Sequence, residues 1–254
     1  AGEAGLLGLS MPEEDGGMGG DYRHEVVLMR QLGWKGADHF GISLHNAIVM
    51  PYIWHYGTEE QKQRWLPRMA SGELIGAIAM TEPGAGSDLQ GIRTRAVRGA
   101  DGAYTITGQK MWLTNGGSST LVAVLVRTDG EAPEGASVYK RMTTFLIEKP
   151  SGFGEVRPGL TIPGKIEKMG YKGVDTTELV MDNLRLVARA TGVQARGQAL
   201  ATAQEARLLR VDRQVAGQPR PRALMVSGRL GNGMLLAARP GTYTGEALVR
   251  AGAS

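Results

Sequence analysis

Two short stretches of this chain gather residue types that could do chemistry together. The first is Thr81-Glu82-Pro83-Gly84-Ala85-Gly86-Ser87-Asp88. Pro83 fixes one dihedral and donates no hydrogen bond, while Gly84 and Gly86 allow unusual backbone conformations and close approach of a ligand. Successive amides in such a turn can point the same way and cradle a phosphate. An ordinary Gly-Pro turn after a strand has the same composition. The second stretch is Lys110 to Gly117 (KMWLTNGG). Strand alternation places Met111 and Leu113 on one face and Trp112 and Thr114 on the other. An indole beside a hydroxyl can cover a planar heteroaromatic cofactor and bond its polar edge, and it can equally be a core Trp with an edge Thr.

The elements that must position these stretches follow from periodicity. A loop (LLGLSMPEEDGGMGG) ends at Asp21, which caps a first helix carrying Val26, Met29 and Gly33 on one face. A second helix is expected from about Asp38 to Tyr56, with core candidates Phe40, Ile42, Leu44, Ile48 and Val49 and a kink or break at Pro51. Thr58 and Gln61 form a capping box for a third helix over 59–70, closed by Ser71-Gly72. From Leu74 the period becomes that of strands. Leu74–Met80 is a buried strand leading into the first motif, and Gly99-Ala100-Asp101-Gly102 joins a hairpin. Gly108-Gln109 is expected to turn the chain into Lys110–Thr114, and Thr120–Arg127 has the apolar content of a central strand. Further strands are expected at Thr143–Glu148, Lys165–Met169, Thr177–Met181 and Leu184–Leu186. Hairpin spacing of this kind predicts an antiparallel barrel or sandwich. The fold class is therefore α+β: a helical segment at 1–73, a β-domain at 74–186, and a tail at 187–254 of uncertain order.

Composition excludes several functions. There is no cysteine, hence no disulfide, thiolate metal site or Cys nucleophile. His24, His39, His45 and His55 lack metal-ligand spacing, so no metal is expected, and core or helix-surface roles are preferred for them. Trp34, Trp54 and Trp65 fall on the helices as packing residues. No apolar run reaches a membrane span and no signal pattern is present, which predicts a soluble, cytoplasmic protein. The missing initiator Met reads as a fragment or a processed start. The net charge of +4 is concentrated in the tail: from Leu186 onward there are ten Arg, no Lys and three acids. The body is mildly acidic, so no nucleic-acid partner is expected.

The two motifs, in register and with their flanks, resemble the acyl-CoA dehydrogenase family. The flanks are Gly8–Gly19, Gly57–Lys62, Lys168-Met169-Gly170 and Asp175–Val180, and the match runs to about Leu186. The resemblance implies FAD and α,β-dehydrogenation of acyl-CoA thioesters in fatty-acid or branched-chain acid breakdown. It also implies electron transfer to an electron-transfer flavoprotein, and a homo-oligomer, dimer or tetramer. Ile78, Met80 and Thr81 would then line the flavin, Gly86 and Ser87 would lie near cofactor and acyl-CoA, and Trp112, Leu113 and Thr114 would cover the isoalloxazine. Glu82 and Asp88 are assigned to turn or capping roles, because the family's base lies in a C-terminal helical domain. Arg157 and Lys165 are candidates for CoA phosphates, with solvated charge as the default. The Tyr171-Lys172-Gly173 segment gains no chemical role.

After Leu186 the resemblance stops, and no catalytic base is identified. A shifted reading frame is the preferred account of the Arg/Ala/Gly-rich tail, with a disordered basic arm for an acidic partner as the alternative. A short helix over Ala199–Leu209 is expected within it. Three functions remain: an acyl-CoA dehydrogenase, a flavin- or CoA-binding module without turnover, and a non-functional fragment. A related oxidase or flavin hydroxylase shares the first motifs.

Overall fold

The computed structural model describes residues 1–37 and 39–186, together with the backbone ladder of Val226–Arg229 with Leu235–Ala237. The tail, with its expected helix at Ala199–Leu209, otherwise lies outside the described residues. Two compact units are present, Ala1–Gln194 and Ala195–Ser254.

The first unit begins with helices whose ends the sequence specifies. Helix α1 (Tyr22–Trp34) is capped by Asp21, with His24 completing the capping box. Its buried position is Glu25, held by the Ser10 hydroxyl and the Asn46 amide, whereas Val26 and Val27 face outward. Trp34 is also exposed rather than packed, with the Arg30 guanidinium 4.1 Å from its ring centroid. The second helical stretch starts at α2 (Ile42–Leu44), passes through a π turn (His45–Val49) and continues as α3 (Met50–Tyr56). Pro51 sits in the first turn of α3, where its missing N–H is tolerated, and the irregularity falls just before it. Ile42 and Val49 are buried as expected, but Phe40 and Ile48 are exposed. Helix α4 (Glu59–Ser71) has the Thr58–Gln61 capping box and ends at Gly72 in the left-handed region.

One eight-stranded sheet follows: β1 (Gly76–Ala79), β2 (Arg95–Arg98), β3 (Tyr104–Thr114), β4 (Leu121–Arg127), β5 (Met142–Glu148), β6 (Gly154–Arg157), β7 (Leu160–Ile162) and β8 (Thr176–Leu186). The order is β1-β4-β2-β3-β8-β7-β6, with β5 also paired to β4. Antiparallel pairing dominates, but β4 runs parallel to β1 and touches β2 in parallel, so the sheet is mixed. Strands from both ends of the order share one core: Ala77 and Ala79 of β1 with Phe145 of β5, Leu160 of β7 and, packed against them, Val156 of β6. A single sheet with such a core must curl over its own inner face. On β4 the period of two divides the faces. Val122, Val124 and Val126 enter that inner core, whereas Leu121 and Ala123 pack with Met50, Leu66 and Met69 of the helices. This is why the strand reads as continuously apolar.

Three strand expectations change. Gly108-Gln109 is no turn: β3 runs through it, and Gly108 at φ 148° meets the backbone of Thr94 where a Cβ would stand. Lys165–Met169 contributes one bridge, Lys165 to Thr177, instead of a strand. Thr177–Met181 and Leu184–Leu186 are one strand, bent at a bulge where Asn183 takes φ 52°.

Candidate functional site: a turn gripped by a bulged strand

Strand β1 delivers Met80 and Thr81 to a tight reversal. The Glu82 amide donates to Ala85 O at 2.8 Å and the Ala85 amide returns the bond to Glu82 O at 3.1 Å. Pro83, Gly84, Gly86, Ser87 and Asp88 are exposed at and beyond its tip. Neither Gly84 nor Gly86 adopts positive φ, and a Cβ on either would meet nothing within 4 Å. The protein itself therefore gives no steric reason for these glycines. The amides of Gly86 and Ser87 donate to no group among the described residues. Asp88 accepts from the Gln90 amide at 3.0 Å, the turn role expected for it.

Glu82 turns inward. Its carboxylate accepts from the amides of Arg93 (2.7 Å) and Thr94 (3.0 Å) and from the Lys110 ammonium (2.8 Å). Burial pushes the carboxyl up, but the lysine and the two amides together hold it below its ordinary value. Burial likewise lowers Lys110, against the pull of Glu82. With three donors converging on it, the carboxylate is ionised and the ammonium is its counter-ion. Lys110 was missed in the sequence. Its signal was a lysine at a strand position where alternation calls for a core residue, and the side chain has 0% exposure.

Trp112 is the unusual residue of β3. Lys110 pairs with Leu179 and Leu113 with Thr177, so Met111 and Trp112 together oppose one residue of β8. The bulge sets Trp112 at φ 65°, a region costly for an aromatic residue, and leaves it 53% exposed. Strain kept together with an exposed indole points to a ligand-facing role. The Met111 amide, left out of the ladder, donates instead to Thr81 O at 2.9 Å, which brings the two motifs side by side.

The other expected positions divide. Met80, Thr81 and Thr114 are partly exposed along these strand ends. Ile78 packs partly against the helical core, and Leu113 is buried in the sheet core, so its side chain faces away from any ligand beside Trp112. Arg157 donates to Glu148 O, and Lys165 lines a cavity of about 580 Å³ with Phe40, Ile42, Phe153 and Asp175. Asn115, at φ 62°, ties that region together by donating to Gly41 O and Gly76 O. Tyr171, also at positive φ, stands 6.5 Å from His39. His45 is structural: one ring nitrogen bonds Met69 O and the other accepts from the Gly76 amide, while burial lowers its pKa.

Next to Asn115, the chain turn at Gly117–Ser119 is held by a buried cation. The Lys149 ammonium donates to Ser119 O at 2.6 Å and to Pro150 O at 3.2 Å, and burial brings its pKa down to about 8, against Asp175, which raises it. Between pH 8 and the unfolded value of 10.5 the unfolded chain binds more protons than the folded one. Stability contributed through Lys149 therefore rises with pH across that window. Urea midpoints at pH 7.5 and pH 10 should show a gain in the parent that Lys149→Met lacks.

Among the described residues no helix is long and apolar enough to cross a membrane, and no cluster of His, Asp and Glu could hold a metal ion. The comparisons with known proteins agree with this architecture. Residues 1–73 match the acyl-CoA dehydrogenase N-terminal domain, and residues 77–184 match its middle domain. The chain belongs to the acyl-CoA dehydrogenase family. It is 45% identical over 192 residues to the mouse mitochondrial long-chain specific acyl-CoA dehydrogenase, covering 75% of this chain and 42% of that protein. Against potato mitochondrial isovaleryl-CoA dehydrogenase the identity is 37%, with 72% and 42% covered. A Geobacillus kaustophilus acyl-CoA dehydrogenase structure superposes with TM-score 0.69 at 39% identity, covering 83% of this chain and 53% of that one. Mycobacterium smegmatis glutaryl-CoA dehydrogenase, solved with FADH2, gives TM-score 0.64 at 33% identity over 74% and 45%. The chain thus spans about half the length of these relatives.

Proposed function

We propose that this chain is the flavin-holding half of an FAD-dependent acyl-CoA dehydrogenase, with acyl-CoA as substrate. The observation that carries the reading is the strained, exposed Trp112 locked beside Thr81 by the Met111 N–H bond. Trp112 offers an apolar lid for a ring system, while Thr81 and Thr114 offer hydroxyls at its edge. Gly86 and Ser87 offer exposed amides to phosphate or thioester oxygens. Bound there, FAD would supply the acceptor for the hydride lost by the thioester. Phe40, Ile42 and Phe153 wall the cavity beside Asn115, which gives an apolar acyl chain a place to lie.

Both carboxylates of the turn are already engaged in holding it. Glu82 is committed to Lys110 and two amides, and Asp88 caps a turn. The described unit is therefore a binding platform that does not turn over by itself. Electron-transfer flavoprotein as electron acceptor, a homo-oligomeric assembly and a cytoplasmic location belong to the same proposal. The relatives cited from mouse and potato are named as mitochondrial, so fractionation of the source cells decides the location. Anaerobic addition of acyl-CoA to the FAD-loaded chain tests the platform reading. A yellow protein whose absorbance near 450 nm stays is expected, and bleaching would show that a base is present after all.

A further inference from the structure

The grip of β3 on the first motif is more complete than a single ion pair. Three consecutive residues, Met80, Thr81 and Glu82, are each held by Lys110 or Met111. The Lys110 ammonium donates to Met80 O at 3.0 Å and to Glu82 Oε1 at 2.8 Å, and the Met111 amide donates to Thr81 O at 2.9 Å. The next residue is Trp112, at the crest of the bulge. Glu82 extends the link, because its two oxygens also take the amides of Arg93 and Thr94, which lead into β2. Thr94 in turn lies against Gly108 of the same strand β3 and donates its hydroxyl to Gln109 O.

We propose that Lys110 and Glu82 are positioning residues for the flavin: a buried strut that fixes the spacing between the Thr81 turn and the Trp112 indole. The proposal rests on the flavin reading above. Neither side chain touches the ligand, since Lys110 is wholly enclosed and Glu82 points away from the exposed tip. Both act through their neighbours. A generic stabilising role for the pair is disfavoured on physical grounds, because replacing both partners of a buried ion pair by uncharged groups of similar volume is often neutral or stabilising. Its geometric role, an ammonium that joins Met80 O and the Glu82 carboxylate on either side of the Met111–Thr81 backbone bond and beside a strained aromatic, has no such substitute.

The test compares the full chain with Glu82→Gln/Lys110→Met, which removes both charges and keeps the volumes. Thermal melting and FAD affinity, read by quenching of flavin fluorescence, are measured on both. The strut predicts a melting temperature within a few degrees of the parent, FAD affinity at least tenfold weaker, and an altered flavin absorption band. A folded double variant that binds FAD within twofold of the parent with the parent's spectrum overturns the strut and leaves the flavin reading standing. A parent chain that binds no FAD overturns the flavin reading, and the strut with it. If the double variant fails to fold, Glu82→Gln carries the same test. Its side-chain oxygen can still accept from the Arg93 or Thr94 amide while the ionic link to Lys110 is lost, and unchanged FAD affinity there overturns the strut.

Discussion

Glu82→Ala is expected to cost about 3–5 kcal/mol of stability, the range for removing one partner of a buried ion pair. The substitution leaves the Lys110 ammonium enclosed with Met80 O as its remaining contact, and it strips the acceptor from the amides of Arg93 and Thr94. Three donors are then short of a partner inside the protein, each with its own desolvation cost. Against total stabilities of roughly 5–15 kcal/mol for a domain, the loss brings this unit close to unfolding at room temperature. Urea denaturation followed by circular dichroism measures it. The double replacement, which leaves no buried charge, should be far milder than Glu82→Ala alone. If Glu82→Ala costs less than about 1 kcal/mol, the pair is not buried in solution as it is here.

Trp112→Gly should move binding and stability in opposite directions. At φ 65° glycine carries no steric penalty, and relief of the strain is worth on the order of 1 kcal/mol. The indole is 53% exposed, so little packing is lost with it. FAD, in contrast, loses its aromatic cover. Such stacking contacts are worth about 1–3 kcal/mol, which weakens binding by roughly 5- to 150-fold. A variant at least as stable as the parent, with FAD affinity down by that factor, marks Trp112 as retained for the ligand. Equal affinity in the two proteins would return Trp112 to an incidental surface position.

How much of this was legible in the sequence differs by element. Caps were fully legible: Asp21, Thr58 with Gln61, and Gly72 act through bonds spanning three residues or fewer. Strand β4 was legible because both of its faces are buried, which leaves a continuous apolar run. The exposure of Val26, Phe40 and Ile48 was not, since periodicity shows that an apolar face exists and says nothing of what covers it. The bulge at Met111–Trp112 was equally hidden, although alternation had already set Leu113 on the face opposite Trp112. Strict alternation has a period of two, and a bulge adds a residue on one strand only, a property of the pairing with β8. The motifs located the site, and the resemblance supplied its ligand. The joint between them, Lys110 to Met80 and Glu82, spans contacts 30 and 28 residues apart in sequence and needed the fold.

The measurement that bears most directly on the central claim is a titration of the purified full chain with FAD, monitored by visible absorption and flavin fluorescence, beside Trp112→Gly. The platform predicts saturable binding of one FAD per chain, with quenched fluorescence that the variant largely loses. A parent chain that stays colourless while folded, or one whose binding is indifferent to Trp112, would contradict it.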